Sequence, residues 1–186
     1  MAIRPCRVQH FRESAMDRQP LVLIFTGDGK GKTTAAFGQA LRALGHGLRV
    51  CVIQFIKSSA AGEAKALAAL PLAEIHVMGT GFTWERPREE VEEAARRAWL
   101  LAREKILAPD YGMVVLDEVT YPFNYGILDE EELLRLLGDA GRRAHVVLTG
   151  RNASPTLIAA ADLVTEMRAV KHPYTAGAEA RKGIEF

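Results

Sequence analysis

The stretch Thr26-Gly27-Asp28-Gly29-Lys30-Gly31-Lys32-Thr33-Thr34 constrains this chain more than any other. The apolar run Leu21-Val22-Leu23-Ile24-Phe25 leads into it, and a segment with Ala36, Phe37, Ala40, Leu41 and Leu44 at helical spacing leads out. Strand, glycine loop and helix in that order form the context of a phosphate-binding loop. Glycines let successive backbone N–H groups turn inward around phosphate oxygens, and the helix N-terminus adds partial positive charge. In such a loop Lys32 reaches the outer phosphates and the Thr33 hydroxyl ligates Mg²⁺, while residues 27–34 line the anion. The general pattern asks for glycine five positions before Gly31, where this chain has Thr26. The loop is a variant with its extra glycines at 27 and 29. A plain glycine-rich turn is the weaker reading, because Gly31-Lys32-Thr33-Thr34 stands where the helix begins. The expected ligand is a nucleoside triphosphate.

The 186 residues suffice for one substantial core. We expect residues 1–20 to be a polar arm and 21–186 a single nucleotide-binding domain. With 24 basic and 23 acidic residues there is no electrostatic case for binding nucleic acid. Cys6 and Cys51 match no paired metal or disulfide spacing, and Cys51 lies in an apolar run, which fits a reducing cytoplasm. Arg4, Arg7, Arg12 and Arg18 accompany no apolar stretch, so the N-terminus does not read as a secretory signal. No run approaches the roughly 20 apolar residues that a membrane helix needs.

Further strands are expected over 48–56, 74–78, 113–118, 144–149 and 162–167, and helices over 33–44 and 89–107. Gly45 and Gly47 are placed to end the first helix. Asp129 is expected to cap a further helix, with Glu132 closing a capping box. Ser154-Pro155 opens a short helix. Ile184 and Phe186 are expected to dock the C-terminus. The alternation implies an α/β fold: a mainly parallel β-sheet with helices on both faces, P-loop NTPase-like and RecA-like. A ligand belongs at the carboxyl ends of the strands, where residues 26–34, 54–57, 79–84, 117–126 and 149–152 converge. Asp117 and Glu118, closing the apolar Met113-Val114-Val115-Leu116, supply the hard oxygens that Mg²⁺ prefers.

A phosphate loop does not name a reaction. The stretches TGDGKGKTTAAFGQALRALGHG, VIQFIK, MGTGFTW, MVVLDEVTY, VVLTGR, VKHPYTAG and KGIEF together resemble the ATP:corrinoid adenosyltransferases of the bacterial cobalamin pathway. Thr26, a departure from the general pattern, is usual in that family. The resemblance implies transfer of the 5′-deoxyadenosyl group of ATP to Co(I) of a reduced corrinoid, with release of triphosphate. It implies ATP lying reversed in the loop, so that the loop grips the leaving group. It implies Thr33 and Glu118 as ligands of Mg²⁺ or Mn²⁺; the general phosphate-loop argument selects Asp117, and both carboxylates stay candidates. Lys32 is the expected electrostatic catalyst, and Arg151 a holder of phosphate or substrate. Phe82 and Trp84 match aromatics that press on the lower face of the corrinoid and ease its reduction to Co(I). The resemblance also implies a homodimer, an N-terminal segment over the active site and a flavoprotein reductant. Residues 1–20 and the Ser58-Ser59-Ala60-Ala61 region depart most from the family pattern. Two other readings stand beside it: a small nucleoside or nucleotide kinase, and an ATP-dependent switch or assembly ATPase.

Overall fold

The computed structural model describes residues 19–81, 86–173, 177 and 179–184. Segments of four or five residues, nearly all apolar in the central strands and mixed at the edges, become the strands β1 (Val22–Thr26), β2 (Val50–Gln54), β3 (Ala73–Val77), β4 (Met113–Asp117), β5 (His145–Thr149) and β6 (Leu163–Glu166). The helices between them are α1 (Lys32–Gly45), α2 (Gly62–Ala68), α3 (Arg88–Leu107), α4 (Thr120–Asn124), α5 (Glu130–Leu137) and α6 (Pro155–Ala159). All six strands form one sheet in the order β3-β2-β4-β5-β1-β6, and every pairing is parallel.

That order explains the two helical layers. The chain moves one way along the sheet from β1 through β2 to β3, then reverses through β4, β5 and β6. Right-handed crossovers put helices on opposite faces when the direction reverses. Accordingly Ala36, Phe37 and Ala40 of α1 and Ala64 and Leu67 of α2 pack with Leu23, Val52, Val115 and Val147. Ala98, Trp99 and Ala102 of α3, Leu133 and Leu136 of α5 and Leu157 of α6 pack with Ile24, Ile53, Leu116 and Leu148 on the other face. Alternate residues of each central strand serve alternate faces, which is why these strands read as continuous apolar runs.

Several boundaries differ from expectation. Asp129 caps α5 by accepting from the Glu131 amide at 2.9 Å. Glu132 does not close the box: it accepts from Trp99 Nε1 at 2.8 Å and pairs with Arg103 at 2.9 Å, tying α5 to α3. A buried indole N–H needs an acceptor, and that need redirects the glutamate. Helix α4, unforeseen in the sequence, follows Glu118 directly. Ser154 caps α6 through the Leu157 amide, with Pro155 in the first turn, as expected. Ile184 is exposed rather than docked, and Phe186 lies outside the described residues. No described helix is long and apolar enough to cross a membrane.

Candidate active site

The loop after β1 packs against the segment that follows β6. Gly29 donates its amide to the Met167 carbonyl at 2.7 Å, and Met167 donates to Thr26 at 2.8 Å. A Cβ on Gly27 would lie 2.4 Å from the Met167 carbonyl oxygen, and Gly27 has φ +94°. Glycine is therefore demanded at 27 by the backbone turn and by close approach of a second strand end. The loop closes at Gly31 (φ +116°), which precedes the first turn of α1.

Lys32 points back into the loop. Its ammonium donates to the carbonyls of Gly27 and Gly29 at 2.7 and 2.8 Å. Burial, then the Arg151 guanidinium, lower its pKa from the ordinary lysine value. Arg151 lies 3.8 Å from Asp28, across the mouth of the loop. Its backbone is fixed by two donors to its carbonyl, Thr120 Oγ1 at 2.7 Å and Asn124 Nδ2 at 3.1 Å. Lys30 in the loop and Thr34 in the first turn of α1 are both exposed.

The central feature is the Asp117 carboxylate, fully buried at the end of β4. Its Oδ1 accepts from Thr33 at 2.8 Å and from Thr149 at 2.7 Å. Its Oδ2 accepts from Gln54 Nε2 at 2.8 Å and, more loosely, from Lys57 Nζ at 3.4 Å. Lys57 also stands 3.6 Å from Glu63. Sheet order makes this set possible. β5 stands between β1 and β4, so Thr149 bridges the loop side and the acidic side, while β2 brings Gln54 from beyond. Thr149 and Gln54 fall within the expected stretches 149–152 and 54–57, though neither is assigned a role from the sequence. Each is the polar residue closing an otherwise apolar strand, at the sheet end where the loop lies, and that is the signal in the sequence that marks them.

Glu118 differs from its neighbour. It takes a left-handed backbone, φ +63°, uncommon for a residue with a side chain. Its amide donates to Thr149 Oγ1 at 2.8 Å. Its Oε2 is buried without a hydrogen-bond partner, and Gln54 Oε1 is in the same condition. Burial first, then the Asp117 carboxylate, push the Glu118 carboxyl up to about 7. Two buried oxygens short of partners, beside a carboxylate and the Thr33 hydroxyl, fit a hard divalent cation. Phe82 and Trp84 lie outside the described residues, as do residues 1–18.

A Gly-Lys-Thr loop opening α1, with an acidic strand one strand removed from it, defines the RecA-like class of P-loop nucleoside-triphosphate-binding proteins. Within that class the chain belongs to the ATP:corrinoid adenosyltransferase family described as BtuR/CobO/CobP, whose model matches residues 18–186. It is 47% identical over 178 residues to a corrinoid adenosyltransferase of Pseudomonas aeruginosa, covering 92% of this chain and 86% of that one. It is 41% identical over 173 residues to a corrinoid adenosyltransferase of Escherichia coli K12, covering 92% and 88%. A third, from Sinorhizobium sp, is 39% identical over 194 residues, covering 100% and 91%.

Proposed function

We propose that this protein transfers the 5′-deoxyadenosyl group of ATP to the cobalt of a reduced corrinoid, in the making or salvage of cobalamin. The observation that carries the reading is the family match running unbroken from residue 18 to 186. The site chemistry supports it. Co(I) is itself the nucleophile, so the protein needs no base to create one. The cobalt electron pair forms the Co–C5′ bond, the C5′–O bond breaks, and its electrons leave on triphosphate; cobalt passes formally from Co(I) to Co(III).

The protein's part is positioning and electrostatics. Lys32 and the loop amides of Gly27–Thr34 other than Gly29, whose N–H is given to Met167, would hold the triphosphate, with Arg151 at the mouth as a further cation. Thr33 and Glu118 would hold Mg²⁺ or Mn²⁺, which when bound neutralises charge on the leaving group. Asp117 orients Thr33 through their hydrogen bond. Phe82 and Trp84 would meet the corrinoid face, and residues 1–20 would cover the site. A homodimer, a flavoprotein supplying electrons for Co(I) and a cytoplasmic setting complete the proposal.

The test is anaerobic incubation of the chain with ATP, Mg²⁺ and chemically reduced cob(I)alamin, with the phosphate product separated by chromatography. Triphosphate formed in step with loss of the Co(I) spectrum is the expected result. ADP or inorganic phosphate alone, with the corrinoid unchanged, would return the chain to kinase or switch chemistry.

A further inference from the structure

Gln54 ends β2 with its Cα in register with that of Asp117. The side chain is fully buried, and Nε2 donates to Asp117 Oδ2 at 2.8 Å. That bond fixes the amide, since turning it over would set an acceptor oxygen against a carboxylate oxygen. With the amide fixed, Oε1 is buried and without a partner. A buried carbonyl oxygen left unpaired loses its hydration with nothing in return. Methionine would fill the same space without that cost.

Among the described residues, the other such side-chain oxygen is Glu118 Oε2. Both orphans thus sit on residues adjoining one carboxylate, Gln54 in the neighbouring strand and Glu118 next in the chain. A single orphan is a local packing cost. Two around the same acid call for a guest that brings positive charge and donors together. A hydrated divalent cation does so, because Mg²⁺ keeps several waters and each water carries two donors.

We propose that Gln54 is a positioning residue for this hydrated cation. Its Oε1 accepts from a cation-bound water while its Nε2 holds Asp117 in place for Thr33. The inference rests on the reading that Thr33 and Glu118 hold a divalent cation. A neutral amide suits the task, since it offers an acceptor without setting a third negative charge beside Asp117 and Glu118.

The test is electron paramagnetic resonance titration of Mn²⁺ into the full chain with ATP and no corrinoid. Gln54→Met removes donor and acceptor, and Gln54→Glu keeps an acceptor. The Met variant is expected to bind Mn²⁺ about 10–100-fold more weakly in the ATP complex, the range for a partner outside the ligand sphere. The Glu variant, protonated against Asp117 as closely paired carboxylates are, keeps a donor and an acceptor and is expected to stay within about threefold of wild type. Wild-type affinity in the Met variant would overturn the proposal. So would equal losses in both variants, which would leave the site sensitive only to the shape of residue 54. Should the Met variant fail to fold, a 10-fold or greater loss in the Glu variant would still overturn it. Absence of ATP-dependent Mn²⁺ binding in the wild-type chain would instead overturn the underlying cation reading, and the inference with it.

Discussion

Lys32 ties the folded loop together, and in the proposed reaction the same side chain faces the leaving group. Its ammonium lies inside the loop, bound to the Gly27 and Gly29 carbonyls, and an incoming anion would exchange for those acceptors. Lys32→Ala should lower single-turnover adenosyl transfer by at least about 100-fold, the usual cost of losing a preorganised charge at a leaving group. Near-normal transfer would remove Lys32 from that role. The residue scale is also where the sequence was most legible. A glycine loop carrying Lys32-Thr33 and a strand ending in Asp117-Glu118 announce their chemistry by type and spacing. Gln54 and Thr149 are marked only as polar residues ending their strands; their roles depend on β2 and β5 flanking β4, and strand order is not written in local pattern.

At the level of elements, the strand ends are held by contacts that few residues satisfy. Gly150, just past β5, has φ +144°, and a Cβ there would lie 1.9 Å from Thr120 Oγ1. Thr120 is itself occupied in holding the Arg151 carbonyl. Gly150→Ala should therefore destabilise the protein by about 2–4 kcal/mol in urea unfolding, from strain and crowding together. A change under about 0.5 kcal/mol would show that α4 yields freely and that Arg151 is not rigidly placed. The strands and long helices were readable because apolar periodicity sets them. Helix α4 was not, since Pro122 and two tyrosines within Thr120-Tyr121-Pro122-Phe123-Asn124-Tyr125 hide a helical turn that tertiary packing imposes. The capping box at Glu132 failed for a related reason: Trp99, 33 residues away in sequence, competes for the same carboxylate.

Across the whole molecule, the edge strand β3, already paired with β2, carries one carboxylate that ties it further to the body. Glu74 accepts from Tyr111, meets His76 at 2.7 Å and pairs with Lys105 at 3.0 Å and Arg49 at 3.3 Å. Cys51 lies beside it, its thiol pushed up to about 12, chiefly by burial. Burial alone would raise the Glu74 pKa, but the hydrogen bonds from Tyr111, His76 and Lys105 outweigh it and bring it to about 2. A carboxyl depressed in the folded state stabilises fully above its unfolded value of 4.5, and that stability is lost as pH falls toward about 2. Glu74→Gln should flatten the stability profile over that interval, removing roughly 1–2 kcal/mol of acid dependence after allowance for solvent screening. An unchanged profile would place the acid sensitivity elsewhere.

The proposed reaction is defined by the bond of ATP that breaks, C5′–O rather than a phosphoanhydride. The most direct measurement supplies ATP carrying ¹³C at C5′ to the chain with Mg²⁺ and reduced corrinoid, in the dark, and follows the label by NMR. The account predicts that the ¹³C moves to a cobalt-bound carbon, released on illumination, with triphosphate as the only phosphate product. Label retained in ADP or AMP, with no cobalt–carbon signal, would contradict it.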